Sequence, residues 1–415
     1  MARHDTTTRG LRQHPGRGRL AGRGLEYLSR RFSRRRASLH VCSGSVTRPG
    51  ASLFDLSKPS SRHPGLDGAR GLAVVAMVLG HTLDALLAPE WRAHPWVQRY
   101  WELRGITAPL FLLVAGFAVV AALGTSQESA GQSFGRRLRR ALLLLFLGYL
   151  VHWPGWDTAH ALGWGEELRS LVFSFDALQS IGVSLLVGAA VLVLARGTWT
   201  RAVVLAALAV GIPLASTWMW NAATGWPIEL RQAVGMPGAR FPLFPWAGFF
   251  FAGALAAHLL RLLRPGWPQG LALVALGGGL VLLTGRLPAD WSPTSAWLVA
   301  FRVGEGLLVL GAVNLVPQVL SRLLAPLGRA SLWLYVLHLP VVYGWAGTAG
   351  LAGRVGPTLG LVPALGVGLG LLAVCYAIAR LAKLIRGGRR ASDTTKWRAR
   401  PVPIDGAALR SGQRT

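Results

Sequence analysis

Residues 68–88 read GARGLAVVAMVLGHTLDALLA, a run in which only Arg70, His81 and Asp84 are ionisable. A helix that crosses a bilayer needs about 20 predominantly apolar residues, so this run predicts a membrane span. Nine more apolar runs follow, at 105–124, 138–153, 177–195, 201–219, 242–263, 269–285, 296–316, 328–346 and 358–382. The whole 415-residue chain agrees, being 52% hydrophobic and 15% charged with a mean hydropathy of +0.41. Soluble chains carry about 25% charged residues, so a soluble or disordered protein is excluded. The expected fold is all-α, a polytopic membrane helical bundle of about ten transmembrane helices.

The net charge of +27, from 44 Lys+Arg against 17 Asp+Glu, resembles that of a nucleic-acid binder. Its arginines, however, are spread over the N-terminal segment, the tail and alternate short loops, so no nucleic-acid partner is expected. One set of loops holds Arg136, Arg137, Arg139 and Arg140, then Arg196 and Arg201, Arg261 and Arg264, Arg322 and Arg329, and finally Arg380, Lys383 and Arg386. In the other set arginines are balanced by acids such as Glu90, Glu102, Asp157, Glu166, Glu167 and Asp290. The positive-inside rule then makes both termini cytoplasmic and the protein a multi-pass protein of the cell (inner) membrane.

Residues 1–62, rich in Arg, Ser and Gly without apolar periodicity, read as a disordered basic arm ahead of a membrane domain at 63–386 and a polar tail at 387–415. Ser29-Arg30-Arg31-Phe32 looks like a twin-arginine signal, but no apolar segment follows it before Pro49. Cys42 and Cys375 give neither a disulfide framework nor a metal quartet. Eleven tryptophans, Trp153 and Trp345 among them, fall at or beyond outer span ends, where an aromatic belt is expected ahead of sugar-stacking platforms.

Ionisable groups inside spans are costly and mark sites or paths. His81 lies eleven residues beyond Arg70, about 16 Å along the helix and near mid-bilayer. His338 lies at a similar depth in the ninth run, and Arg302 and Glu305, at i and i+3, enter the eighth from outside. The outer loops add Asp84, Glu90, His94, His152, Asp157, His160 and Asp176. A His81/Asp84/His94 grouping matches no common metal-ligand spacing, so no metal is expected. A histidine near carboxylates at the outer mouth suits a general base or nucleophile, because imidazole titrates near neutrality.

Several strings carry a family resemblance. Arg70, ten residues, then His81 is similar to the R-x10-H signature of the acyltransferase-3 family. Leu66-Asp67-Gly68-Ala69-Arg70-Gly71 resembles the opening of the membrane acyltransferases, and Thr107-Ala108-Pro109-Leu110-Phe111, Asp176-Ala177-Leu178-Gln179-Ser180, Phe241-Pro242-Leu243-Phe244-Pro245-Trp246 and Ser331-Leu332-Trp333-Leu334-Tyr335-Val336-Leu337-His338 resemble a sister family, the heparan-α-glucosaminide N-acetyltransferase-like proteins. The resemblance implies transfer of an acetyl group from cytoplasmic acetyl-CoA to a sugar amine or hydroxyl at the outer face, through a helical-bundle tunnel. It implies His94 and His81 as the catalytic pair, His94 matching the sister family's essential histidine and His81 that of the acyltransferase-3 family. Arg70, Asp67, Arg302, Glu305, His338, Asp176 and Gln179 would bind around them, with Arg136, Arg137, Arg139 and Arg140 on the CoA phosphates.

The implied partners are the lipid bilayer, a CoA thioester and a glycan or sugar acceptor, with a homo-oligomer left open. The rival class is a multi-span transporter or flippase, in which the buried His/Arg/Glu cluster would be a gate or proton relay; the two halves of the chain show none of the repeat such folds carry. Topology is testable directly. A reporter fused after Arg140 or Arg329 should read cytoplasmic and one at Glu166 or Asp290 external, and a cytoplasmic signal at Glu166 would contradict the frame.

Overall fold

Hydrocarbon offers the backbone no hydrogen-bond partner, so each apolar run closes its N–H and C=O groups within a helix. The computed structural model describes residues 64–122, 130–264, 266–286, 291–315 and 318–398. The basic arm, Cys42, Asp290 and the tail from 399 onward lie outside the described residues. The principal helices are α1 (Pro64–Leu86), α2 (Pro95–Arg104), α3 (Thr107–Ala121), α4 (Ala130–Val151), α5 (Ala177–Leu194), α6 (Thr198–Leu214) and α7 (Ser216–Ala222). They continue as α8 (Leu243–Leu260), α9 (Trp267–Arg286), α10 (Ala296–Leu315), α11 (Gln318–Arg329), α12 (Ser331–Tyr343) and α13 (Leu361–Arg398). Among the described residues the only sheet is a short hairpin, β1 (Gly344–Trp345) antiparallel to β2 (Thr348–Ala349).

All ten expected runs fall on helices, and the protein is an all-α polytopic membrane bundle. Seven stretches among the described residues are long and apolar enough to cross a bilayer: α1, α2 with α3, α5, α8, α9, α10 and the first part of α13. An eighth is counted if α6 and α7, bent by 60° at their junction, are one span. The bend follows Pro213, whose ring cannot donate to the helix ladder. Two runs form helices that fall short of that criterion. The first half of α4 carries four arginines, and α12 has 13 residues, about 20 Å of rise against a hydrocarbon core of about 30 Å.

Lipid tails are as apolar as leucine, so helix pairing relies on close packing at small residues. The α3–α8 pair shows this twice. A Cβ on Gly116 would collide with the Phe250 carbonyl, and one on Gly253 with the Leu113 carbonyl. Phe117, Phe250, Phe251, Leu112 and Leu113 are fully buried around this crossing. At the other end of the chain, Gly71 and Gly328 let α1 and α11 touch through backbone, against Leu324 and Asp67 respectively.

On α1 itself, Arg70, Met77, His81 and Asp84 are seven, four and three residues apart and so lie within about 60° of arc on one stripe. That stripe faces the bundle's interior cavity rather than lipid. Replacing Gly116 by Val should therefore destabilise the protein by about 1–3 kcal/mol through overpacking. Gly279→Val, where an added Cβ meets nothing within 4 Å, should leave the detergent-solubilised melting temperature unchanged. Equal melting temperatures for the two variants would refute the close α3–α8 contact.

Candidate functional site

The α1 stripe forms one wall of a cavity of about 1130 Å³. Arg70 and Asp84 both line it and are fourteen residues apart, about 21 Å of helix, so it runs through most of the bilayer's apolar thickness. At one end it is bounded by Arg70 with Arg136, Arg137 and Arg140 from α4; at the other by Asp84, Arg92, Arg104 and Arg240. Between them the walls are mostly apolar, with Met77, Phe111, Leu144, Leu185 and Phe250. Arg139 is not among the lining residues. Arg70 pairs with Asp67 at 3.3 Å, and Asp67 also faces Arg329 at 3.9 Å, which ties the arginine-rich end of α1 to α11.

His81 sits inside this cavity toward the end opposite the arginine cluster. Its Nδ1 is 2.9 Å from the Tyr343 hydroxyl, and that hydroxyl donates to Asp84 Oδ2 at 3.3 Å. A carboxylate can only accept, so the Tyr343 proton is committed to Asp84 and the Tyr343 oxygen accepts from His81 Nδ1–H. The tautomer is thereby fixed, with the lone pair on His81 Nε2. Arg104 lies 3.5 Å from Asp84, while stacking its guanidinium 4.7 Å above the Trp101 ring. Arg92 donates to the carbonyls of Leu87 and Asp84, at 2.9 and 2.5 Å, and neutralises the C-terminal dipole of α1.

His338, from α12, has its ring centroid 5.4 Å from that of His81. It is fully buried, and its Nδ1 lies 2.7 Å from the Leu334 carbonyl, which fixes the proton there. Its Nε2 is therefore an acceptor, and among the described residues it has no partner. A neutral His81 in the tautomer above presents a lone pair, not a proton, on Nε2.

Asp176 caps α5, accepting from Ala177 N–H at 2.6 Å and pairing through Oδ2 with His152 Nε2. Gln179 completes the capping box, accepting from Asp176 N–H and donating to the Ser174 carbonyl, both at 3.1 Å. Asp176 thus lines the cavity while Gln179 is consumed in shaping the helix start. Outside the spans, the Arg169 guanidinium grips Glu229 through two bonds of 2.6 and 2.7 Å. Those hydrogen bonds hold the Glu229 carboxyl below its usual range and join the short helices 166–172 and 228–234.

His94 is placed elsewhere. It is the N-cap of α2, its side chain accepting from Trp96 N–H at 3.4 Å, and it is exposed beside Trp91. It is not among the residues lining the cavity. Arg302 and Glu305 also stand apart from the histidines. They pair with each other at 2.8 Å, Arg302 further donating to the Glu102 carbonyl at 3.2 Å beside Gly105, and neither lines the cavity. Conversely, Tyr343, Arg104 and Arg240 belong to the cavity without having stood out in the sequence. Arg104 and Arg240 counted there only as charges balancing outer acids, although Arg240 immediately precedes the Phe241-Pro242 string.

Among curated proteins, none matches the chain. The family profile of the acyltransferase domain, acyltransferase family 3, matches residues 63–380. That span takes in every helix from α1 to the middle of α13, together with Arg70, His81 and the whole cavity. A multi-span transporter or flippase is set aside by this match, and the chain belongs to the acyltransferase-3 family of membrane acyltransferases.

Proposed function

We propose that the protein moves an acetyl or similar acyl group from cytoplasmic acetyl-CoA, through the long cavity, to a sugar hydroxyl or amine at the opposite membrane face. The single observation that carries this is one cavity that holds an arginine cluster at one end and the oriented His81 toward the other. Arg136, Arg137 and Arg140, with Arg70, are suited to the phosphates of the nucleotide, since guanidinium bonds to phosphate are charge-assisted. The apolar middle suits the pantetheine arm, which would bring the thioester to the level of His81. The arginine-rich end is then the cytoplasmic one, in keeping with the loop charges.

At the reacting centre, His81 Nε2 takes the proton of the acceptor as its oxygen or nitrogen attacks the thioester carbonyl. The C–S bond breaks, and the departing CoA thiolate receives a proton from the imidazolium. Tyr343, held by Asp84, orients the ring, as the carboxylate does for other catalytic histidines. His338 Nε2 accepts a hydrogen bond from the protonated His81 or from the acceptor. Asp67 and Arg329 steady Arg70, Arg302, paired with Glu305, ties α10 to the last turn of α2, and Gln179 shapes the start of α5; we assign these to support rather than to substrate contact.

The sister family's arrangement would instead centre on His94 and an amine acceptor. His94 caps α2 outside the cavity wall, and we therefore place it second. Purified protein supplied with acetyl-CoA and assayed for free thiol separates the two. His81→Ala should lower turnover by about 10² or more. His94→Ala should cost about 1 kcal/mol of stability through loss of the cap and change turnover less than a few-fold. Exchange of Arg136, Arg137 and Arg140 for Gln should weaken acetyl-CoA binding, whereas Arg139→Gln should weaken it least. Full activity in His81→Ala with loss in His94→Ala would replace this assignment with the amine-acetylating one.

A further inference from the structure

A second cavity, of about 380 Å³, lies against the end of the tunnel that is remote from the arginine cluster. Its lining includes His152, Trp153, Arg240, Tyr343, Trp345 and Thr348. Arg240, Leu339 and Tyr343 line both cavities. An occupant of the smaller one is thus against the same Tyr343 that holds His81 Nδ1. Pockets for small molecules run from about 300 to 1,000 Å³, so its volume suits a single small ring.

The walls are held rigidly. The β1–β2 loop has two residues, Ala346 and Gly347, with φ of 52° and 81°, the positive angles that a tight hairpin of this kind requires. Ala346 N–H donates to the Trp153 carbonyl at 3.1 Å, and the Trp345 indole N–H donates to the Leu150 carbonyl at 2.7 Å. The Trp345 ring is thereby pinned to the end of α4 while remaining partly exposed. A pinned aromatic face is a platform on which the C–H face of a sugar can stack. His152 is pinned as well, its Nε2 bound to Asp176, which leaves Nδ1 as its remaining polar atom.

The charges are one-sided. The lining holds one arginine and no aspartate or glutamate. Among the described residues Arg240 is exposed and forms no ion pair. Asp176 is near enough to feel its field, but that carboxylate is already engaged by His152 and by the Ala177 N–H. A guanidinium at the rim of a water-facing pocket, with no carboxylate in ion-pair contact among the described residues, is suited to a carboxylate brought by a ligand.

We propose that this smaller cavity holds the acyl acceptor, and that Arg240 selects an acidic sugar, one whose carboxylate sits on the same ring as the hydroxyl or amine to be acylated. The proposal rests on the acyl-transfer function above and adds to it the acceptor's place and charge. Trp345 carries the ring, Arg240 the carboxylate, and the shared Tyr343 edge turns the reactive group toward His81.

Methyl glucuronide and methyl glucoside are a matched pair of probes, differing at C6 by the carboxylate. With radiolabelled acetyl-CoA and subsaturating sugar, the full-length protein should acetylate the glucuronide at least roughly tenfold faster, the scale of a hydrogen-bonded charge. Arg240→Gln should bring the ratio of the two rates close to one, and Arg240→Lys should retain most of the preference, which also shows that the position tolerates exchange. Equal rates for the two sugars in the unaltered protein would overturn the proposal, as would an Arg240→Gln variant that slows both sugars by the same factor. Acetyl-CoA consumption without transfer to either sugar would overturn it too, while leaving the acyl-transfer function standing. A protein that neither binds nor consumes acetyl-CoA would refute that function and this proposal together.

Discussion

Three ionisable residues on one stripe of a membrane helix set the terms for the rest of this structure. Arg70, His81 and Asp84 cannot face hydrocarbon, because a charge or an unpaired polar group at that depth costs several kcal/mol. The bundle meets this requirement by closing α3, α4, α5, α8 and α12 around the stripe and leaving a polar path between them. Glycines such as Gly116 and Gly253 let the surrounding helices approach closely enough to seal that path from lipid. For the acyl transfer we propose, such a path would spare the donor's charged nucleotide and the acceptor from entering the lipid.

The protein then divides its charged groups by task. Arginines cluster at one mouth, whereas at the other Arg104 is tied down by Asp84 and Arg92 by backbone carbonyls. Through Tyr343, Asp84 reaches His81 and sets which nitrogen bears its lone pair. In the acyl transfer we propose, Asp84 and Tyr343 would position the base without needing to touch the acyl group. His338 is buried beside His81, and its Nε2 has no partner among the described residues.

Much of this was written in the sequence. Ionisable residues within apolar runs pointed to Arg70, His81 and His338, because burial of such groups is rare enough to carry information. The equal depths expected for His81 and His338 became ring contact at 5.4 Å. Depth alone misjudged Arg302 and Glu305, which share the level but satisfy each other on their own helix. Gln179 lay in a family string, yet its amide is spent on the α5 cap. Tyr343 was hidden because its role exists only through a contact with His81 across 262 positions of sequence, and nothing local to α12 announces it. His94 shows the reverse: proline follows it, so the residue serves as a helix cap before it can serve anything else.

The central claim is that donor and base meet inside one cavity entered from the arginine-rich mouth. The most direct measurement is an experimental structure of the protein with a non-hydrolysable acetyl-CoA analogue in which a methylene replaces the thioester sulfur. The account predicts the phosphates among Arg136, Arg137 and Arg140 and the acyl carbonyl beside His81, closer to it than to His94. Phosphates lodged at the Arg92 and Arg104 mouth, or an analogue lying outside the cavity, would contradict it.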